Sequence, residues 1–335
     1  MPNLRLLVIS AMLSSALGLA ACGGGGGGYG GGNPPSGAGP SKLFGADSPH
    51  MAIGSLANPN PGAGTFPVDR TLMGIYPGLS NSIGSLALDT GRNYLYVGNG
   101  TSMLVFHSAS TANGDIFPDQ SFGIGGGNTG SLFLDMVNDR LYVGDDVNGV
   151  KVFNGASTAN GAPSPARTVT GDFGTSFVIH GVAVDTTVRN ILYVSNTNNT
   201  PSSNAISVFD SASTVNGSNT PDRTITPNPV SSVGGISLDA GNDRLYVAGG
   251  VGATTVMVLN GASTANGPTA PAKTLFGFPS GIRNVVVDTV NDRLYAVGVS
   301  GVYIVNSVST ASGAVTATAI LPPSGGSLTA VAVSP

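Results

Sequence analysis

Gly235-Ile-Ser-Leu-Asp239, followed three residues later by Asp243-Arg-Leu-Tyr-Val247, is a phrase this chain writes five times. Ser85-Leu-Ala-Leu-Asp89 leads into Asn93-Tyr-Leu-Tyr-Val97, and Ser131-Leu-Phe-Leu-Asp135 into Asp139-Arg-Leu-Tyr-Val143. Gly181-Val-Ala-Val-Asp185 leads into Asn190-Ile-Leu-Tyr-Val194, and Asn284-Val-Val-Val-Asp288 into Asp292-Arg-Leu-Tyr-Ala296. Each copy runs on into a second apolar stretch, a Ser-Thr-Ala-Asn-Gly-like turn and an Arg-Thr-Ile-like segment. The closing aspartates recur every 46 to 54 residues. A repeat of that length, holding four short strands, marks one blade of a β-propeller.

Within the copy quoted first, Gly235 to Asp239 reads as the innermost strand A, and Arg244 to Ala248 as B. Thr255 to Leu259 reads as C, and Lys273 to Phe276 as the outer strand D. Strand A is apolar at successive positions, as Val285-Val286-Val287 shows, because each blade is covered on both faces by its neighbours. The Asp-x-x-Asn-Asp linking A to B has the side-chain chemistry of a tight reversal. Asn160-Gly161, Asn216-Gly217 and Asn266-Gly267 supply positive φ between C and D.

The ends of the domain set the blade count. Lys42-Leu-Phe-Gly45 matches a strand B, His50 to Gly54 a strand C, and Asp69 to Leu72 a strand D, with no strand A before them. Ser327 to Ser334 is a strand A with nothing after it. The two fragments make one split blade, 41–77 plus 327–335. The expectation is therefore an all-β, six-bladed propeller of four-stranded blades over 41–335, closed by its C-terminal strand. Closure of this kind removes open edges.

Met1 to Arg5 and the apolar Leu6 to Ala16 have the build of a signal peptide, 1–21, too short to be read as a membrane span. The segment ends in Leu19-Ala20-Ala21-Cys22, which resembles the bacterial lipobox. That resemblance implies cleavage before Cys22, the chain's single cysteine, and a lipid on its sulfur. Residues 22–40 are a Gly-rich tether with too little apolar surface to order and an r.m.s. reach of about 25 Å. The expected location is the bacterial cell envelope, lipid-anchored, and the outer membrane in a Gram-negative host. The expected partners are the membrane through that anchor and an envelope protein or polysaccharide, met as a monomer.

Composition excludes several alternatives. The formal charge is −4, and the 13 basic residues are scattered, which removes the case for nucleic acid. All 17 acidic residues are aspartate. With no Cys in the domain there is no disulfide framework, so packing must supply the stability.

Leu95-Tyr-Val-Gly-Asn99 and Leu192-Tyr-Val-Ser-Asn196, each following an apolar-Asp strand, resemble the NHL and YVTN type of propeller repeat. The resemblance spans 41–335 and implies a fold more than an activity, since such families include scaffolds, envelope proteins, hydrolases and lyases. It also implies that ligands meet the face built from B–C and D–A loops. On that face the candidates are Asp47, His50, Asp145, Asp146, Asp172, His180 and Arg283, together with Tyr76, Asn99 and Asn196 to Asn199. The five repeated aspartates lie on the opposite face and read as turn residues. His107 ends a strand C, so the three histidines do not form the ring that a three-His zinc site of NHL-type lyases needs. Lactonases of the gluconolactonase family hold a divalent metal with Glu, Asn and Asp, and this chain has no Glu. No nucleophile-base pair is legible, so no catalytic residue is assigned. Two readings remain: a binding or scaffold module without a cofactor, and a hydrolase or lyase with calcium, for which Asp145-Asp146 is the local candidate.

Overall fold

The computed structural model describes residues 42–47, 52–57, 70–73, 83–171, 173, 177–187, 189–198, 204–228, 232–249, 252–320 and 328–334. The signal peptide, Cys22, the tether, His50, Tyr76 and Asp172 lie outside them. Six antiparallel sheets of four strands follow one another around a ring, and among the described residues helix is limited to one 3-10 turn, Ala156–Thr158. Blade 1 is Leu328–Ser334, Lys42–Asp47, Ala52–Ala57 and Arg70–Met73, in that spatial order. Blade 2 is Ile83–Asp89, Tyr94–Asn99, Ser102–Phe106 and Gln120–Gly123. Blade 3 is Thr129–Asp135, Arg140–Asp145, Gly149–Asn154 and Arg167–Val169. Blade 4 is Phe177–Asp185, Ile191–Asn198, Ala205–Asp210 and Arg223–Pro227. Blade 5 is Ile236–Asp239, Arg244–Ala248, Thr255–Asn260 and Lys273–Phe276. Blade 6 is Ile282–Asp288, Arg293–Gly298, Gly301–Asn306 and Thr318–Ile320.

The ring closes as the terminal fragments suggest. Leu328–Ser334 pairs antiparallel with Lys42–Asp47, Lys42 facing Ser334 and Phe44 facing Ala332. It also packs on the inner strands of blades 2 and 6.

The repeated Leu-Tyr-Val explains why one tripeptide serves two blade interfaces. Successive strand residues point to opposite sheet faces. Tyr96 enters the core between blades 2 and 3, while Leu95 and Val97 enter the core between blades 1 and 2. Tyr142, Tyr193, Tyr246 and Tyr295 likewise point forward to the next blade, and their flanking residues point back. Six hydrophobic clusters result, one per interface, and all five tyrosines are at most 1% exposed. At about 25 cal/mol per Å² of apolar surface, these interfaces are the main source of stability.

The Ser-Thr-Ala-Asn-Gly turn does more than reverse the chain between C and D. Its glycines adopt positive φ, 73° at Gly161, 77° at Gly217 and 69° at Gly267, as the sequence requires. The segment that follows pairs parallel with the outer strand of the preceding blade. Gly267–Thr269 lies on Arg223–Pro227, Gly313–Ala314 on Lys273–Phe276, and Gly114–Asp115 on Arg70–Met73. Single bridges join Phe122 to Gly161 and Val169 to Gly217. A turn asparagine reinforces four of the five joints: Thr71, Ser121, Thr168 and Thr224 donate their N–H groups to Asn113, Asn160, Asn216 and Asn266 at 2.9–3.2 Å. Outer edges are thereby covered at these five joints, which limits edge-to-edge pairing.

Candidate functional site

The face carrying the A–B turns is occupied by its own hydrogen bonds. Asp135 accepts the N–H and side-chain amide of Asn138 at 3.1 and 2.8 Å, and Asp239 does the same with Asn242. Asp288 holds Val290 and Asn291; Asp89 pairs with Arg92 at 2.8 Å, and Asp185 with Arg189 at 3.1 Å. The last turn residue, Asn93, Asp139, Asn190, Asp243 or Asp292, takes φ of 51–60°. Its side chain accepts the N–H of the turn serine, Ser110, Ser157, Ser213, Ser263 or Ser309, at 2.8–3.0 Å. Asp and Asn suit this position because they tolerate the left-handed region and carry an acceptor. These carboxylates act on the fold.

The opposite face has a different organising feature. Register shifts place one extra residue near the loop end of the inner strand: Gly84, Gly130, His180, Arg283 and Thr329. In blade 5 Gly234 and Gly235 both bond Ala248, so Gly234 occupies the same place. Glycine dominates because adjacent inner strands nearly touch here, and a Cβ on Gly84 would collide with the carbonyl of Thr129. Thr329, His180 and Arg283 are the exceptions, the last two being large polar groups at equivalent bulges of blades 4 and 6. Bulges re-aim side chains and recur beside binding sites.

His180 is half-buried and its Nε2 lies 2.8 Å from Thr197 Oγ1. Burial pushes the imidazole below its usual range, so it is neutral near pH 7. Arg283 is exposed, and its guanidinium has no hydrogen bond or ion pair among the described residues. The inner strands of blades 4 and 6 come within 8 Å, Cα to Cα. Between them runs Gly234-Gly235, whose Gly235 N–H donates to the Arg283 carbonyl at 2.8 Å.

The other candidates are distributed differently. Asp47, Asn99 and Asp145 end the second strands of blades 1 to 3, Asn196 holds the equivalent place within the longer Ile191–Asn198, and all four are buried. Asp145 is fully enclosed and forms an ion pair with Lys151, whose ammonium also donates to the carbonyls of Gly125 and Gly126 at 3.2 and 2.9 Å. Asp145 further accepts the N–H of Val147 at 2.8 Å and the side-chain amide of Asn148 at 2.9 Å. It lies beneath the face, with Lys151 where a cation would sit. Asp146 has a different partner and accepts two bonds from Asn128, at 2.7 and 3.0 Å. The adjacent acids therefore do not converge, and among the described residues no cluster of three His, Cys, Asp or Glu side chains is placed to share a metal ion.

His107 stacks on Tyr94 with ring centroids 3.8 Å apart, on the outer part of the A–B side and away from His180. Lys151 escaped the sequence reading. Its one signal is a lysine between Val150 and Val152, where blades 2 and 5 carry Leu104 and Met257. The equivalence of His180 and Arg283 carries a signal, since each stands five residues before the aspartate of its inner strand, Asp185 or Asp288, but only the bulges show what that position does.

No family model matches the chain, and no curated protein does. Among solved structures, a chain of the nidogen/laminin complex is similar over 88% of this chain and 98% of its own, with TM-score 0.56 and 14% identity. The WD40 β-propeller domain of Doa1 is similar over 84% of this chain and 80% of its own, with TM-score 0.55 and 14% identity. Likenesses at such identity carry fold alone. The molecule is a six-bladed β-propeller, a fold consistent with a binding or scaffold module.

Proposed function

We propose that this chain is a propeller of the NHL/YVTN kind, tethered by a lipid on Cys22 to the bacterial cell envelope. There it acts as a binding or scaffold module. The observation that carries this reading is the division between faces. The A–B turns are nearly uniform and hydrogen-bonded, whereas the B–C and D–A loops differ from blade to blade and display an Arg283 that has no side-chain partner among the described residues. Rigid scaffolds with one variable loop face are built for recognition. The lipobox-like Leu19 to Cys22 and the Gly-rich 22–40 support the tether. The partner class is an envelope protein or polysaccharide, engaged by a monomer.

Two measurements test the reading. Cys22→Ser should move the protein from the membrane to the soluble fraction and abolish labelling by a fatty-acid analogue. Photo-crosslinkers placed at Val147 and Val299, on the loop face, and at Val137, on the A–B face, should capture envelope material from the first two positions only. Capture confined to Val137 would place recognition on the opposite face and refute the assignment.

A further inference from the structure

We infer that the loop-face mouth over blade 5 binds a carboxylate, with Arg283 as its charged contact and His180 as a neutral hydrogen-bonding neighbour. The inference deepens the binding-module reading and rests on it. Three observations converge on this place.

The first is charge. Of the basic groups on this face, Lys151 is consumed by Asp145 and the loop carbonyls of Gly125 and Gly126. Arg283, the extra residue of its bulge, is exposed and without a partner among the described residues. The described acids of the face do not neutralise it: Asp47 and Asp145 are buried, and Asp146 is tied to Asn128. An exposed planar guanidinium with no described partner is matched to a planar, bidentate carboxylate.

The second is space. The equivalent position on the intervening blade is Gly234, which carries no side chain, while the Asn284 carboxamide packs against the neighbouring Gly235. The floor between them is thus the Gly234 backbone and the Asn284 carboxamide over Gly235, and the flanking inner strands approach within 8 Å.

The third is substitution against a pattern. The bulge is glycine in blades 2, 3 and 5, where the close approach of strands favours a missing side chain. Arg and His depart from that preference in two blades flanking the same gap. Thr329, the remaining non-glycine, is used internally, donating to the Ile83 carbonyl at 2.7 Å. Arg283 has no such internal use.

The carboxylate could be that of a free organic acid or of an acidic sugar, and the experiment separates them. Citrate, oligogalacturonate and neutral maltohexaose are titrated calorimetrically into the wild-type domain, Arg283→Gln and His180→Gln, with melting curves confirming the folds. Wild type should bind at least one acid and not maltohexaose. Arg283→Gln should weaken that binding tenfold or more, and His180→Gln less. Citrate alone binding identifies a free acid; oligogalacturonate binding far more tightly identifies the acidic sugar. Wild type that binds neither acid, or Arg283→Gln binding as wild type does, overturns the inference. If loop-face crosslinks persist in either case, the binding-module reading stands without it. Crosslinks confined to Val137 remove that reading first.

Discussion

The A–B turns and the strand bulges sit at opposite ends of the same inner strands, yet they were built under different demands. At the A–B end the five unsplit blades repeat one solution: a carboxylate capping the turn, a left-handed Asn or Asp, and a serine locked from the C–D segment. At the bulge end the backbone problem is solved once, by an extra residue, and the side chain is then free to vary. Glycine appears where strands crowd, and Arg or His where a group reaches the mouth. Uniformity therefore reports a backbone requirement, and departure from uniformity reports a candidate for function. The comparison also separates two buried charges: Asp239 belongs to the repeat, while Asp145 and Lys151 occur in one blade.

The largest expected effect is at ring closure, which both ends depend on. Deleting 328–334 removes the buried Leu328, Ala330, Val331 and Ala332 and strips Lys42–Asp47 of its inner partner. The loss should be on the order of 5 kcal/mol or more, seen as a lower melting temperature and binding of an apolar dye. An unchanged melt would mean that closure does not depend on this strand.

Next comes the charge pair under the loop face. Lys151→Met leaves the enclosed Asp145 uncompensated and should cost about 3–5 kcal/mol. Adding Asp145→Asn should restore most of that loss, since the amide keeps an acceptor for the Val147 N–H. Equal melts for the single and double variants would show that the pair is not coupled.

Smaller effects test the two ends directly. Asp239→Ala should cost about 1–2 kcal/mol through two lost turn bonds, whereas Asp146→Ala on the opposite face should stay within about 0.5 kcal/mol. The reverse ranking, measured by denaturant unfolding, would invert the assignment of structural and variable faces. Asn216→Ala removes one inter-blade acceptor from Thr168 and should cost about 1 kcal/mol.

The smallest effect is a pH dependence at His180. Its folded pKa is lowered from 6.5 by burial, so below that value the unfolded chain takes up the proton first. Stability should be flat above about pH 6.5 and decline as pH falls through the window below it, because protonation favours the unfolded state. His180→Gln should remove that part of the slope. A slope retained in full would mean the imidazole is solvated in the fold.

Much of this was legible in the residues, and particular elements show why. The Leu-Tyr-Val phrases are local patterns with a strand period, so Arg244–Ala248 is found where the sequence places it, and Lys273–Phe276 likewise. The repeated Asp and Asn-Gly turns are also local, since their bonds span a few residues and their φ preferences are intrinsic. The count of six follows from period and mismatched ends, because a strand without a sheet and a sheet without a strand must find each other. What only the tertiary structure decided are relations between blades. Asn216 reads as a turn residue until it meets Thr168 of the blade before, 48 positions away. Asp145 reads as an exposed acid until Lys151 and the Gly125-Gly126 carbonyls enclose it. His180 and Arg283 share a position only because two bulges, each set by crowding from neighbouring strands, bring them to the same turn of the ring. Local chemistry is written in consecutive residues, but burial and juxtaposition depend on which surfaces the closed ring presses together.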